Sequence, residues 1–222
     1  MMNSRFDVYN DFALNASPDR ITKLLARFEL YRKVLDVPGD IVEGGVMKGA
    51  GVLFWAKLVE IFNPLSKRKV VGFDTFAGYP DDVTFAHDRK KAQDFTAEQV
   101  TDAAEVSVEG IMAVATAQGL AHRIDLVKGD VRETLPDYVH DHPGFRIALL
   151  NLDFVLYDPT RAALEQLYPL VVPGGVVAFD EYATRGNGES DAVDEFFKAK
   201  NIRLHSIPWA LSPTAYMIKG ER

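Results

Sequence analysis

The chain has 222 residues, 47% of them hydrophobic and 26% charged, with a net charge of −7. That length suffices for one substantial core, a single domain over residues 1–222, and an acidic chain without a long basic stripe is a poor partner for nucleic acid. Cysteine is absent, which excludes disulfides, a thiolate nucleophile and cysteine-ligated metal.

Residues 1–38 read as one or two helices, because "ITKLLARFELYRKVL" repeats its apolar residues at helical spacing ahead of Pro38. These helices are expected to pack across the active-site side or to form a subunit contact in a homo-oligomer. The leading "MMNSRFDVYNDF" lacks the layout of a secretory signal. No run approaches the ~18 apolar residues of a membrane span, so no membrane partner and a cytoplasmic location are expected. "DIVEGGV" reads as a strand, "GVLFWAKLVEIF" as a helix, and "KVVGFDTF" as a second strand carrying Asp74 at its end. Residues 77–106 are polar and irregular, a length that points to a lid. "IDLVKGD", "RIALLNLD" and "GGVVAFDEY" read as strands three to five. A helix in "DPTRAALEQLYPLV" starts near Pro159, and Pro173–Gly175 stops the chain after it. "DAVDEFFKAK" reads as a helix, followed by two final strands, "NIRLHSI" and "TAYMIKG". Such alternation predicts an α/β fold, a mostly parallel sheet with helices on both faces.

In a sheet of that kind ligands bind beyond the carboxyl ends of the strands, where strand order reverses. "DIVEGGVMKGAG" places a glycine-rich turn there. Gly45, Gly49 and Gly51 are spaced G-x-x-x-G-x-G, not the G-x-G-x-x-G of nicotinamide sites. Glu43, two residues ahead, would repel a pyrophosphate but suits a ligand bearing an ammonium and a sulfonium. Asp74 ends the second strand, where an acid accepts hydrogen bonds from both ribose hydroxyls. Asp130 in "KGD" reaches the same edge, near an adenine amino group. Three acids at three strand ends, with glycine at the first turn, describe an S-adenosylmethionine pocket better than a nicotinamide one. Helix-on-strand packing for the glycines and a cap for Asp74 are the plainer readings.

"GDIVEGGVMKGAG", "VVGFDTFAGYP", "VKGDVRETLPDYV", "LLNLDFVLYDPTRAALEQLYPLVVPGGVVAFDEY" and "AVDEFF" occur in that order between residues 38 and 200. Together they resemble the macrocin O-methyltransferase family of class I methyltransferases. The resemblance implies a seven-stranded Rossmann-like sheet, S-adenosylmethionine as donor, and Mg²⁺-assisted transfer to a hydroxyl of a small-molecule acceptor, often a sugar. Carried over by position, Glu43, Gly44, Gly45 and Gly49 form the first cofactor loop. Asp74 and Thr75 lie at the ribose, and Asp130 and Val131 beside the adenine. The family's acid-x-acid-Leu-Tyr pattern is met by Asp153 in its first place and Val155 in its second, and the later acidic pair by Asp180–Glu181. Asp153, Asp180 and Glu181 are then the expected Mg²⁺ ligands, and Asp153 the catalytic base, with His87 of the lid as a second candidate. The plainer reading has Asp180 and Glu181 cap the next loop and Asp153 pair with a lysine or arginine. Phe154 and Tyr157 would flank the acceptor, with core packing the plainer role for Tyr157. Two other readings stand beside this one. Val155 leaves room for a non-catalytic adenosyl-ligand-binding module, and a nicotinamide-dependent oxidoreductase is disfavoured by the glycine spacing.

Overall fold

The computed structural model describes residues 5–80, 82–99 and 106–221. The N-terminal segment forms two helices, α1 (Arg5–Asn15) and α2 (Pro18–Arg32). Pro18 in the first turn of α2 forfeits an N–H that has no helical partner there. Strands β1 (Asp40–Gly44), β2 (Val70–Asp74), β3 (Ile124–Lys128), β4 (Ile147–Leu152) and β5 (Val171–Phe179) run parallel, and β6 (Ala215–Ile218) pairs antiparallel with β5. Their order is β3-β2-β1-β4-β5-β6. Among the described residues six strands form the sheet, against the seven expected. "NIRLHSI" contributes only a bridge between His205 and Tyr216, and Pro208 soon after it has no N–H to extend a ladder.

Both faces of the sheet are covered, which is why the strands read as apolar runs without alternation. On one face α2, α3 (Ala50–Phe62) and α5 (Val108–Ala117) bury Leu30, Tyr31, Trp55, Val59 and Ile111. On the other, α6 (Val131–Asp141), α7 (Tyr157–Leu167) and α8 (Glu189–Phe197) bury Leu135, Leu164, Leu167, Val193 and Phe197. Among the described residues no helix is long and apolar enough to cross a membrane.

Several elements differ from the sequence reading. Residues 77–106 are not irregular throughout: α4 (Ala86–Gln99) lies within them. Its run of Ala, Lys, Gln and Glu has helix propensity but no apolar stripe, so periodicity could not find it. Positions 81 and 100–105 of that segment lie outside the described residues. Helix α6 escapes the sequence pattern, because Pro136 sits in its interior. Pro173–Gly175 does not end the preceding helix but lies inside β5, where the register with β4 slips between Ile147 and Leu149.

The register brings the carboxyl ends of four strands level. Gly44 pairs with Phe73 and with Leu152, and Leu152 pairs with Phe179. The next residues of these strands, Gly45, Asp74, Asp153 and Asp180, therefore leave the sheet side by side. Since β1 is flanked by β2 on one side and β4 on the other, this is the point where strand order reverses.

Candidate active site

A cavity of about 610 Å³ opens over those strand ends. Its wall takes in Gly45, Asp74, Thr75, Asp130, Val131, Asp153, Asp180 and Glu181 of the residues singled out in the sequence. Glu43, Gly44, Gly49 and His87 are not part of it.

The glycines serve the protein's own close contacts. Gly45 has φ +85°, and a Cβ there would overlap the backbone carbonyl of Asp153. A Cβ at Gly51 would overlap the Glu43 carboxylate, and one at Gly49 would crowd Ile111. The tight turn thus lets β1 hand the chain to α3 while Glu43 is tucked behind it. Glu43 is fully buried and ion-paired with Arg27 of α2, Oε1 to Nη2 at 2.8 Å. Burial raises its carboxyl to about 7, against the opposing pull of Arg27. Arg27 in turn lies over the Trp55 ring, 5.8 Å from its centroid.

Asp74 braces the loop. Its Oδ2 accepts the Met47 N–H at 2.9 Å, and Oδ1 accepts the Phe76 N–H at 2.8 Å. The Thr75 hydroxyl donates to the Gly78 carbonyl. Asp130 caps α6, its Oδ1 taking the Arg132 N–H at 2.9 Å, while the Arg132 guanidinium grips both carboxylate oxygens. Hydrogen bonds from Arg132 hold the Asp130 carboxyl below the usual range.

The acids that follow β4 and β5 meet a cation, Lys23, that the sequence pattern did not single out. Lys23 of α2 donates to Asp180 Oδ2 at 2.8 Å and to Asp153 Oδ2 at 3.1 Å. Burial works against its charge, yet Asp153 and Asp180 hold its ammonium above the ordinary lysine value. Asp180 is itself buried, and burial together with the nearby Asp153 pushes its carboxyl up to about 7. Glu181 is turned elsewhere: its Oε2 accepts from Asn187 Nδ2 at 3.1 Å. Behind it Glu189 is wholly buried, receives the Glu181 N–H at 2.8 Å, and is driven well above the carboxylate range by burial. Lys23 and Arg27 stand four apart on one face of α2. The signal was available, since Arg27 falls in the stripe of Leu30, Tyr31 and Val34, where a charge needs a buried partner.

Val155 holds φ +69°, an outlying conformation for a β-branched residue. The Leu156 N–H closes a three-residue turn onto the Phe154 carbonyl at 2.7 Å. Val155 packs with Tyr79, Val83 and Leu156, beneath the segment that precedes α4. The first turn of α4 is clamped. Asp88, fully buried, accepts the N–H of Tyr157 at 2.8 Å and of Gly188 at 2.9 Å. His87 next to it is exposed and stacks on Phe85 at 5.3 Å, outside the cavity. Phe154 and Val155 line the cavity; Tyr157 does not, and its hydroxyl donates to Glu195.

A doubly covered sheet of this order, with acids from successive strand ends around one cavity, defines an α/β methyltransferase fold. A family model described as macrocin-O-methyltransferase matches residues 19–210, and the chain belongs to that family. It is similar to the 8-demethyl-8-(2,3-dimethoxy-α-L-rhamnosyl)-tetracenomycin-C 4′-O-methyltransferase of Streptomyces olivaceus, 31% identical over 66% of this chain and 54% of that protein. It is also similar to the mycinamicin III 3″-O-methyltransferase of Micromonospora griseorubida, 29% identical over 66% of this chain and 56% of that one. The chain thus spans a little over half the length of the curated relatives it matches. Among solved structures, a calicheamicin methyltransferase superposes with a TM-score of 0.79 at 32% identity, covering 100% of this chain and 88% of that chain.

Proposed function

We propose that the protein is an S-adenosylmethionine-dependent O-methyltransferase whose acceptor is a hydroxyl on a sugar or sugar-bearing natural product. The observation that carries this reading is the row of Gly45, Asp74, Asp153 and Asp180 on one cavity wall, in a chain of this family. The acceptor class is taken from the named acceptors of the relatives, a rhamnosyl-tetracenomycin and a mycinamicin.

The residues present fit the donor. An ionised carboxylate offers about four acceptor sites. Asp74 takes the N–H groups of Met47 and Phe76 and, at 3.4 Å, a long contact from the Thr75 hydroxyl, which also donates to Gly78. Oδ2 therefore keeps capacity for a ribose hydroxyl, and Oδ1 for a second once Thr75 stays with Gly78. Asp130 is committed to Arg132, so its part is to fix the entry to α6 and bring Val131 to the wall. S-adenosylmethionine supplies a methyl group on a sulfonium, already activated toward an oxygen nucleophile. The chain has to orient the acceptor, exclude water and take one proton. Asp153 lines the cavity with its side chain only partly covered, and is the group assigned to that proton.

Mg²⁺ was the expected partner of Asp153, Asp180 and Glu181, and these side chains do not fit it as one donor set. Two converge on Lys23 and the third is turned to Asn187. Among the described residues no group of three or more His, Cys, Asp or Glu is placed to hold a metal ion.

Titration calorimetry tests the donor. S-adenosylhomocysteine is expected to bind and NAD not to. Asp74→Ala is expected to weaken binding by about 1–3 kcal/mol, the loss of a charged acceptor. Unchanged affinity in that variant would sink the ribose role. The segment 77–106 acts in this reading as a lid, closing over Val155 and held by Asp88. Asp88→Ala strands the N–H groups of Tyr157 and Gly188, so limited proteolysis is expected to cut within α4 faster than in the parent. Equal rates would make the clamp irrelevant to closure.

A further inference from the structure

We infer that Lys23 is the working cation of this site, its ammonium standing between Asp153 and Asp180 where a divalent metal would otherwise bridge them. The inference rests on the methyl-transfer reading of the site. The ammonium is bonded to Oδ2 of both acids, at 3.1 Å and 2.8 Å. A Mg²⁺ bound to the same two oxygens would sit about 2.1 Å from each, on top of the nitrogen. Two cations so close repel strongly where water is scarce.

The surroundings favour the lysine. Arg27 places a second fixed charge 3.9 Å from the same Asp153 oxygen, so helix α2 answers Glu43, Asp153 and Asp180 with two cations. Glu181 is engaged by Asn187. Val155 presents an apolar side chain to Tyr79 and Val83 where a further carboxylate would have added a ligand.

An ammonium has three N–H donors. Two are used on the acids, and the third is left for an acceptor oxygen, since Lys23 and Asp153 line the same cavity. Its charge favours the oxygen as it loses its proton to Asp153. The oxygen's electron pair forms the bond to the methyl carbon as the carbon–sulfur bond breaks, with that pair remaining on sulfur. Lys23 stays protonated throughout.

The test uses Mn²⁺ as the probe, followed by the loss of its free-ion electron paramagnetic resonance signal, on the whole chain. The parent is expected to bind no Mn²⁺ in the micromolar range and to keep its turnover in EDTA. Lys23→Met vacates the bridging position. It is expected to bind Mn²⁺ at least about tenfold more tightly than the parent. Its turnover in EDTA should fall by about 10²-fold or more, the cost of losing a placed cation, while S-adenosylhomocysteine affinity holds. A merely structural lysine would lower stability without creating a Mn²⁺ site. Micromolar Mn²⁺ binding by the parent, or turnover abolished by EDTA and restored by Mg²⁺, overturns the inference. So does a folded Lys23→Met protein with parental turnover and no Mn²⁺ binding. Should that variant fail to fold, the parent's own Mn²⁺ titration and EDTA response decide. Failure of S-adenosylhomocysteine to bind any form would instead remove the methyl-transfer reading, a separate measurement.

Discussion

Asp153→Asn is expected to lower turnover by about 10²–10⁴-fold, the usual share of a positioned base, with little change in donor affinity. Asparagine keeps the shape of the side chain and an oxygen for Lys23, but it cannot take a proton. The change therefore separates proton acceptance from packing at a residue whose N–H is already tied to the Gly44 carbonyl at 2.8 Å. Steady-state kinetics beside calorimetry with S-adenosylhomocysteine makes the check. Turnover near the parent's would mean that another group accepts the proton. His87 is poorly placed for that, on an exposed turn of α4 away from the cavity.

Gly45→Ala is expected to destabilise the protein by about 3 kcal/mol or more, among the large costs that backbone strain and overpacking produce. Two penalties combine. The residue has φ +85°, where an L side chain costs about 1–2 kcal/mol, and its Cβ would overlap the carbonyl group of Asp153, which is backbone and cannot swing aside. For a chain of this size, each kcal/mol shifts the melting temperature by about 2–4 °C. Gly119→Ala is the control: φ is +72° there with nothing near the added carbon, so it carries the strain without the overlap. A thermal melt of both variants checks the difference. Equal shifts would mean that the turn relaxes around the new methyl group.

The parallel core was legible because strands buried on both faces read as apolar runs without alternation, and β1, β2, β4 and β5 do so apart from Glu43 and Asn151. Elements that deviate from periodicity were not. Helix α4 has propensity without a stripe, and α6 hides behind Pro136. "NIRLHSI" has the composition of a strand but pairs through His205 alone. The acids of the site were legible for a reason of position: a carboxylate straight after an apolar strand has to lie at the sheet's edge. What sequence could not give was the partner of each acid. Glu43 read as a ligand for a cationic cofactor, yet it is paired with Arg27 from a helix sixteen residues upstream. Asp153 and Asp180 read as metal ligands, with a lysine or arginine as the alternative partner of Asp153, but nothing local named Lys23, which lies on both. Such pairings depend on how α2 crosses the sheet, and no local pattern records that crossing. The glycines behave alike. Gly49 and Gly51 are needed for Ile111 and for Glu43, so a glycine-rich turn marks close approach without saying what approaches.

The docking of α2 also bears on how the chain acquires its structure. Strands β1, β4 and β5 deliver Glu43, Asp153 and Asp180 to one edge, and Lys23 and Arg27 reach that edge from α2. Stripping water from carboxylates that lack a counter-charge is prohibitive. The carboxyl ends of these strands can therefore lose their water only together with the cations of α2. Drying of this edge and docking of α2 are then one coupled event: neither set of charges can leave water without the other.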